Sequence, residues 1–268
     1  MNYDFVKNFL RRRMRRPAVY SLARRIMLVG QYVFRRPDEP DFSVFKALRK
    51  ESGLVVDIGA NGGQSAIAFS FLLPKFKILS FEPNPALWRD LDFIQRIIGQ
   101  RFSFRKIGLG PQADQMTLFV PQIGDLAVTT RASLDRNAAA EHCVRLKKEI
   151  GEQPEIGEVT VEIVPFDSLG LRPDIIKIDV EGYEHAVLSG MAQTLDAARP
   201  ILLLESNDND PACKALLAPL GYRFYYFDAI AGRVSARADN RTRNWFAVPA
   251  HREAQFCGPA ADAASVES

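Results

Sequence analysis

Asp57-Ile58-Gly59-Ala60-Asn61-Gly62-Gly63 closes the apolar, β-branched run Leu54-Val55-Val56, and Glu82 ends the next apolar run. A strand that stops at an acid and a glycine turn, followed by a helix and a second strand-terminal acid, is the layout of a nucleoside-cofactor site. The glycines let the backbone turn sharply while a ligand lies against bare main chain, and Glu82 stands where a carboxylate can take both ribose hydroxyls. A dinucleotide site shares this layout, so Asp57 discriminates. A carboxylate beside the turn repels a pyrophosphate, whereas S-adenosylmethionine brings a sulfonium and an ammonium and no phosphate. The residues favour S-adenosylmethionine over NAD.

A second dense patch is Lys177-Ile178-Asp179-Val180-Glu181-Gly182-Tyr183-Glu184-His185. Asp179 ends a further apolar run and Glu205 another, so four carboxylates, with Asp57 and Glu82, can border one rim, because ligands of open parallel sheets bind outside the carboxyl ends of the strands. A single strand-terminal acid can equally cap the following helix. Asp179, Glu181, Glu205 and Asn207 also offer hard oxygen ligands suited to Mg²⁺ or Mn²⁺. Metal-free base catalysis is the preferred expectation. Lys177, inside a strand, suits a structural ion pair.

The elements that must position these groups alternate. Strands are expected at residues 54–57, 76–81, 102–107, 174–179 and 200–205, with helices near 63–73, 85–98, from about 183, and 211–218. This pattern predicts an α/β fold with a parallel sheet covered on both faces. Strands at 222–227 and 244–248 are expected to close the domain as an antiparallel edge hairpin. Strands at 116–120 and 159–164 flank a polar region, 122–157, with a helix at about 135–150, which interrupts the sheet and is expected to cover something. Thr129-Thr130-Arg131-Ala132-Ser133-Leu134 is a candidate lid over an acceptor. Trp88 and Trp245 read as core residues rather than stacking platforms.

Asp-Ile-Gly-Ala-Asn-Gly-Gly, Phe81-Glu82-Pro83-Asn84-Pro85, Phe166-Asp167-Ser168-Leu169 and Lys-Ile-Asp-Val-Glu-Gly-Tyr-Glu, in this order, resemble the FkbM-type family of S-adenosylmethionine-dependent methyltransferases. The similarity spans roughly residues 42–249. It implies a class I methyltransferase Rossmann-like fold, a seven-stranded, mostly parallel sheet flanked by helices, and methylation of a hydroxyl on a sugar, glycan or polyketide-like acceptor. By match to the family's motifs, Asp57, Gly59, Asn61 and Gly63 would form the cofactor turn, Glu82 would hold the ribose, and Asp179 and Glu181 would lie beside the transferable methyl. His185 joins them as a candidate base on titration grounds, against the plain alternative of a helix-surface histidine.

Composition bounds the rest. A chain of 268 residues, 47% hydrophobic and 25% charged, suits one catalytic domain with appendages, expected as a basic helical extension over 1–41, the domain over 42–250 and a disordered tail over 251–268. Three cysteines far apart in sequence suggest neither a disulfide framework nor a metal knuckle, which fits a reducing cytosol. Residues 1–36 hold ten Lys/Arg against the single acid Asp4, a net of +9 that leaves −6 for the rest of a chain totalling +3. From Pro17 a helix is expected, with Val19, Leu22, Ile26, Val29 and Val33 on one stripe. It is too interrupted by charge to span a membrane. Either the stripe packs on the domain and leaves a solvated arginine face, or the helix docks on acidic lipid at the inner membrane face or on an acidic partner. Nothing in the arginine cluster has the aromatic interleaving of an RNA motif, so no nucleic-acid partner is expected. Two alternatives to a methyltransferase remain: an NAD(P)-dependent oxidoreductase and a non-catalytic membrane-associated binding module.

Overall fold

Alternate side chains along the central strands enter different cores. Val55 joins one apolar cluster with Phe45, Phe69, Phe76 and Phe246, while Val56 joins another with Ile176, Leu188, Met191 and Trp245. A strand buried on both faces has no polar side to show, which is why these segments read as continuous apolar runs. The computed structural model describes residues 17–48, 52–151, 153–228, 231–237 and 243–257.

Five strands form the parallel block: β1 (Gly53–Ile58), β2 (Phe76–Phe81), β3 (Phe102–Arg105), β8 (Ile175–Ile178) and β9 (Ile201–Glu205). They belong to an eight-stranded sheet of order β11-β10-β12-β9-β8-β1-β2-β3, completed by β10 (Tyr222–Asp228), β11 (Arg233–Ser235) and β12 (Asn244–Pro249). The seven expected strands are all present, with β11 added. The expected edge hairpin differs. β12 inserts between β9 and β10, antiparallel to both, and β11 rather than β10 is the edge. This arrangement is the class I methyltransferase fold that the resemblance implied.

The helices follow their caps. α2 (Gln64–Leu72) starts at Gly63, and α3 (Pro85–Ile98) starts at Asn84, whose side chain accepts from the Ala86 amide at 3.1 Å, and stops at Gly99 with φ 76°. Leu87, Leu91, Ile94 and Ile98 form the buried face of α3. Short helices α5 (Glu184–Ser189) and α6 (Ala192–Ala197), with α7 (Asp210–Leu217), cover the other face of the sheet.

The region expected to interrupt the sheet builds a second one. After β3 the chain leaves through β4 (Gly108–Leu109), and β5 (Asp114–Ile123), β6 (Leu126–Ala127) and β7 (Glu155–Val164) complete a four-stranded sheet of order β4-β7-β5-β6. Its small core is Leu118, Val120, Val161 and Ile163, and α4 (Arg136–Ile150) lies on it.

Two ends of the chain depart from expectation. Residues 253–257, read from sequence as tail, form helix α8 (Glu253–Cys257), whose Phe256 packs on Phe246 at 5.1 Å between ring centroids. At the other end α1 (Pro17–Phe34) lies against α2 and α3 with its arginines inward and its apolar stripe exposed. The arginine cluster at 11–16 lies outside the described residues. No described helix is long and apolar enough to cross a membrane.

Candidate active site

A cavity of about 410 Å³ opens at the carboxyl ends of β1, β2, β8 and β9, roofed by the small sheet. Its floor is the glycine turn. Gly59 has φ 79°, and a Cβ there would stand 1.8 Å from the Asp179 carbonyl oxygen, so only glycine lets β1 and β8 end side by side. The Gly59 and Ala60 amides donate to the Phe81 carbonyl at 3.0 and 3.1 Å, which ties the turn to the end of β2. Asn61, left-handed at φ 48°, lines the cavity, and its Oδ1 has no partner among the described residues. An orphan buried acceptor on the cavity wall fits a bound cofactor.

Glu82 closes this wall. Its Oε2 accepts from the Asn61 amide at 2.8 Å and its Oε1 from the Asn84 amide at 2.9 Å. Burial pushes its carboxyl up to about 7, against the pull of those two amides. Each oxygen keeps acceptor capacity for a ribose hydroxyl.

Two expected members of the turn act from behind it. Asp57 is fully buried and does not line the cavity; Ser80 Oγ donates to its Oδ2 at 2.9 Å and Lys177 Nζ stands 3.5 Å from its Oδ1. Gly63 is likewise off the wall, and its Cα faces Ile94, 2.7 Å from where a Cβ would sit. Lys177 is the hub. Besides Asp57 it holds Asp179 Oδ2 at 3.0 Å and donates to the Gly59 carbonyl at 3.1 Å. Burial alone would lower its ammonium, but Asp179 and then Asp57 outweigh that and raise it above the ordinary range. The acid that sequence read as a ligand discriminator is therefore half of a buried ion pair that shapes the turn.

Beside the turn, at the ends of β8 and β9, Asp179, Glu181 and Glu205 each bring a carboxylate oxygen within 4.8 Å of the others. Burial, then Asp179 and Glu184, raises the Glu181 carboxyl to about 8; burial, then Asp179 and Glu181, raises Glu205 to about 10. Three acids this close cannot all ionise cheaply, so the cluster holds a proton or welcomes a cation. Asn207, expected with them as a metal ligand, is elsewhere engaged: its Oδ1 accepts from the Asn209 amide at 2.8 Å. His185 also stands apart, exposed on α5 and off the cavity wall. Its neighbour Glu184 takes the inward position and accepts from the Val180 and Gly182 amides, each at 3.2 Å.

The candidate lid, residues 129–134, lines the cavity throughout. Phe119 and Ser133 exchange backbone hydrogen bonds of 2.8 and 3.0 Å that dock it on β5. Sequence reasoning missed Asp38, Glu39 and Phe42, which come from the linker and the 3₁₀ segment Pro40–Ala47 to form the remaining wall. The acids Asp38 and Glu39 were the only signal there. Around the cavity seven carboxyl side chains stand with three cationic ones, Arg131, Lys177 and Arg243; Glu82, Glu181 and Glu205, raised to about 7, 8 and 10, carry only part of that negative charge near neutral pH.

Residues 57–226 match the family model described as the methyltransferase FkbM domain. The chain belongs to the FkbM methyltransferase family. Membership places the chain among methyltransferases by family. Among solved structures, the chain is similar to an FkbM methyltransferase from Methylobacillus flagellatus KT, with TM-score 0.46 and 16% identity over 85% of this chain. The alignment spans 59% of that relative's length. Precorrin-6y C5,15-methyltransferase from Geobacter metallireducens GS-15 gives TM-score 0.42 and 14% identity, covering 77% of this chain and 85% of that one. Aeropyrum pernix fibrillarin, solved with natively bound S-adenosyl-L-methionine, gives TM-score 0.42 and 14% identity over 78% of this chain and 73% of its own. None of the curated proteins matches the chain.

Proposed function

We propose that this FkbM-family chain is an O-methyltransferase acting on a hydroxyl of a sugar, glycan or polyketide-like acceptor, with a carboxylate of the β8 corner taking the hydroxyl proton. The observation that carries the reading is the convergence of Asp179, Glu181 and Glu205 on the cavity that the glycine turn and Glu82 also line. S-adenosylmethionine supplies an electrophilic methyl group for in-line displacement. Glu82 and Asn61 hold the nucleoside end, and Lys177 fixes the turn and Asp179 together. Glu181, the neighbour of that pair, accepts the acceptor's proton in its ionised form, while Glu205, raised to about 10, holds the proton that the cluster already carries. Holding the oxygen in line contributes roughly 7 to 11 kcal/mol to barrier lowering, and the base about a hundred- to ten-thousandfold more. Residues 129–134 and the small sheet enclose the acceptor.

The same three oxygens give a second reading, in which Mg²⁺ or Mn²⁺ offsets their charge and lowers the hydroxyl's pKa. The experiment is labelled methyl transfer to glycans, nucleotide sugars and macrolide-like polyols, each beside its O-blocked counterpart. Transfer restricted to free hydroxyls and indifferent to EDTA supports base catalysis. Loss with EDTA and return with Mg²⁺ selects the metal, and transfer only to amines or carbon would remove the O-methylation reading.

A further inference from the structure

At 3.6 residues per turn, Val19, Leu22, Ile26, Val29 and Val33 fall within an arc of roughly 80° on α1. In a helix packed on a domain such a stripe faces the core. Here it faces out: Leu22 is 59% exposed, Ile26 64% and Val33 63%, and Phe34 at the helix end reaches 77%. The opposite side explains why. Arg24 is buried in an ion pair with Asp90, and Arg25 Nε reaches the same carboxylate at 2.8 Å. Ser21 Oγ donates to Asp90 at 2.8 Å, and Leu28 is buried in the core beneath α2. Turning the stripe inward would strip Asp90, itself 1% exposed, of both cations. The outward stripe is therefore built into the fold.

Charge names what covers it. Arg35 and Arg36 stand exposed directly after the stripe, and Arg15 and Arg16 precede it in sequence, within a segment of ten cations and one acid. A second copy laid on this face about a two-fold axis would bring these like charges together. An anionic lipid surface instead complements them, and an apolar ridge flanked by arginines is what an in-plane interfacial helix presents. We propose that α1 is an interfacial anchor that docks the protein on anionic membrane, its stripe in the acyl boundary and Arg35 and Arg36 among head groups. The anchor touches the active site directly, since Arg24 Nη1 also donates to Thr129 Oγ1, at 3.4 Å, on the cavity wall. Docking does not depend on the acceptor's chemistry.

The test is co-sedimentation of the full-length protein with phosphatidylcholine vesicles, with and without phosphatidylglycerol. Binding should need the anionic lipid and weaken as salt shortens the screening length below about 10 Å. Leu22→Ser/Ile26→Ser/Val33→Ser alters only exposed side chains, so it should reduce partitioning about tenfold or more and leave S-adenosylmethionine affinity unchanged. In Leu22→Trp, brominated acyl chains should quench emission beyond the wild-type level. Absence of vesicle binding overturns the proposal, as does binding that the triple variant retains. No added quenching in Leu22→Trp overturns it too, as does a wild-type dimer that the triple variant abolishes.

Discussion

The two walls of the cavity are held by different physics. On the turn side, polar groups are clamped by backbone or buried charge: both Glu82 oxygens by amides, Lys177 between Asp57, Asp179 and the Gly59 carbonyl. On the roof side, solvent-facing pairs join residues 129–134 to α4, Arg131 to Glu149 at 2.8 Å, and α4 to β7, Arg136 to Glu158 at 3.7 Å. Buried pairs are costly to break, whereas exposed pairs contribute little. A wall that meets the same cofactor every turnover benefits from rigidity. A wall that sets acceptor choice can vary without unfolding the domain.

The largest effect should come where the walls meet. Asp179→Asn and Glu181→Gln should lower turnover about a hundred- to ten-thousandfold while cofactor affinity stays within a small factor, read by single-turnover kinetics beside calorimetry. Equal losses in both would make the cluster a binding element only. Next, Lys177→Met strands Asp57 without its cation and should cost about 3 to 5 kcal/mol in denaturant unfolding. A cost below that of a surface pair would dissolve the contrast between the walls.

A smaller, pH-dependent effect belongs to Asp41. Burial and then Glu39 raise its carboxyl from 3.8 to about 7, although Asn244 Nδ2 donates to it at 2.6 Å. The folded state thus holds a proton that the unfolded state has released, so Asp41's contribution to stability falls as pH rises from 3.8 through about 7. Asp41→Asn should flatten that slope and add at most about 4 kcal/mol above it. Thermal melts from pH 4 to pH 8 decide, and an unchanged slope would place the titration elsewhere. Smallest of all, Arg131→Ala should cost under about 1 kcal/mol; a larger cost would mean that the roof is as rigid as the floor.

Much of the turn-side wall was legible because its signals are local. Strand, glycine turn and terminal acid lie within ten residues of one another, and Glu82 and Asp179 stand at strand ends as read. What sequence could not supply was direction. Periodicity says which α1 residues share a face but not which way it turns, and Asp90, some 69 residues from Ser21 along the chain, decides that. One residue is about 100° of helix, so with Glu184 turned inward His185 had to point away. Asp57 was placed correctly on β1 but on its inner side. The small sheet was hidden because β4 to β7 pair with one another across the polar insertion, and β4 pairs over a long sequence separation.

The central claim is that the turn-side wall holds S-adenosylmethionine through Glu82. Calorimetric titration of wild type and Glu82→Ala with S-adenosylmethionine and with NADH tests it most directly. The account predicts one-site binding of S-adenosylmethionine to wild type, none of NADH, and affinity about ten- to a hundredfold weaker in the folded variant, for the loss of charge-assisted hydrogen bonds. Wild-type affinity in Glu82→Ala, or preference for NADH, would contradict it.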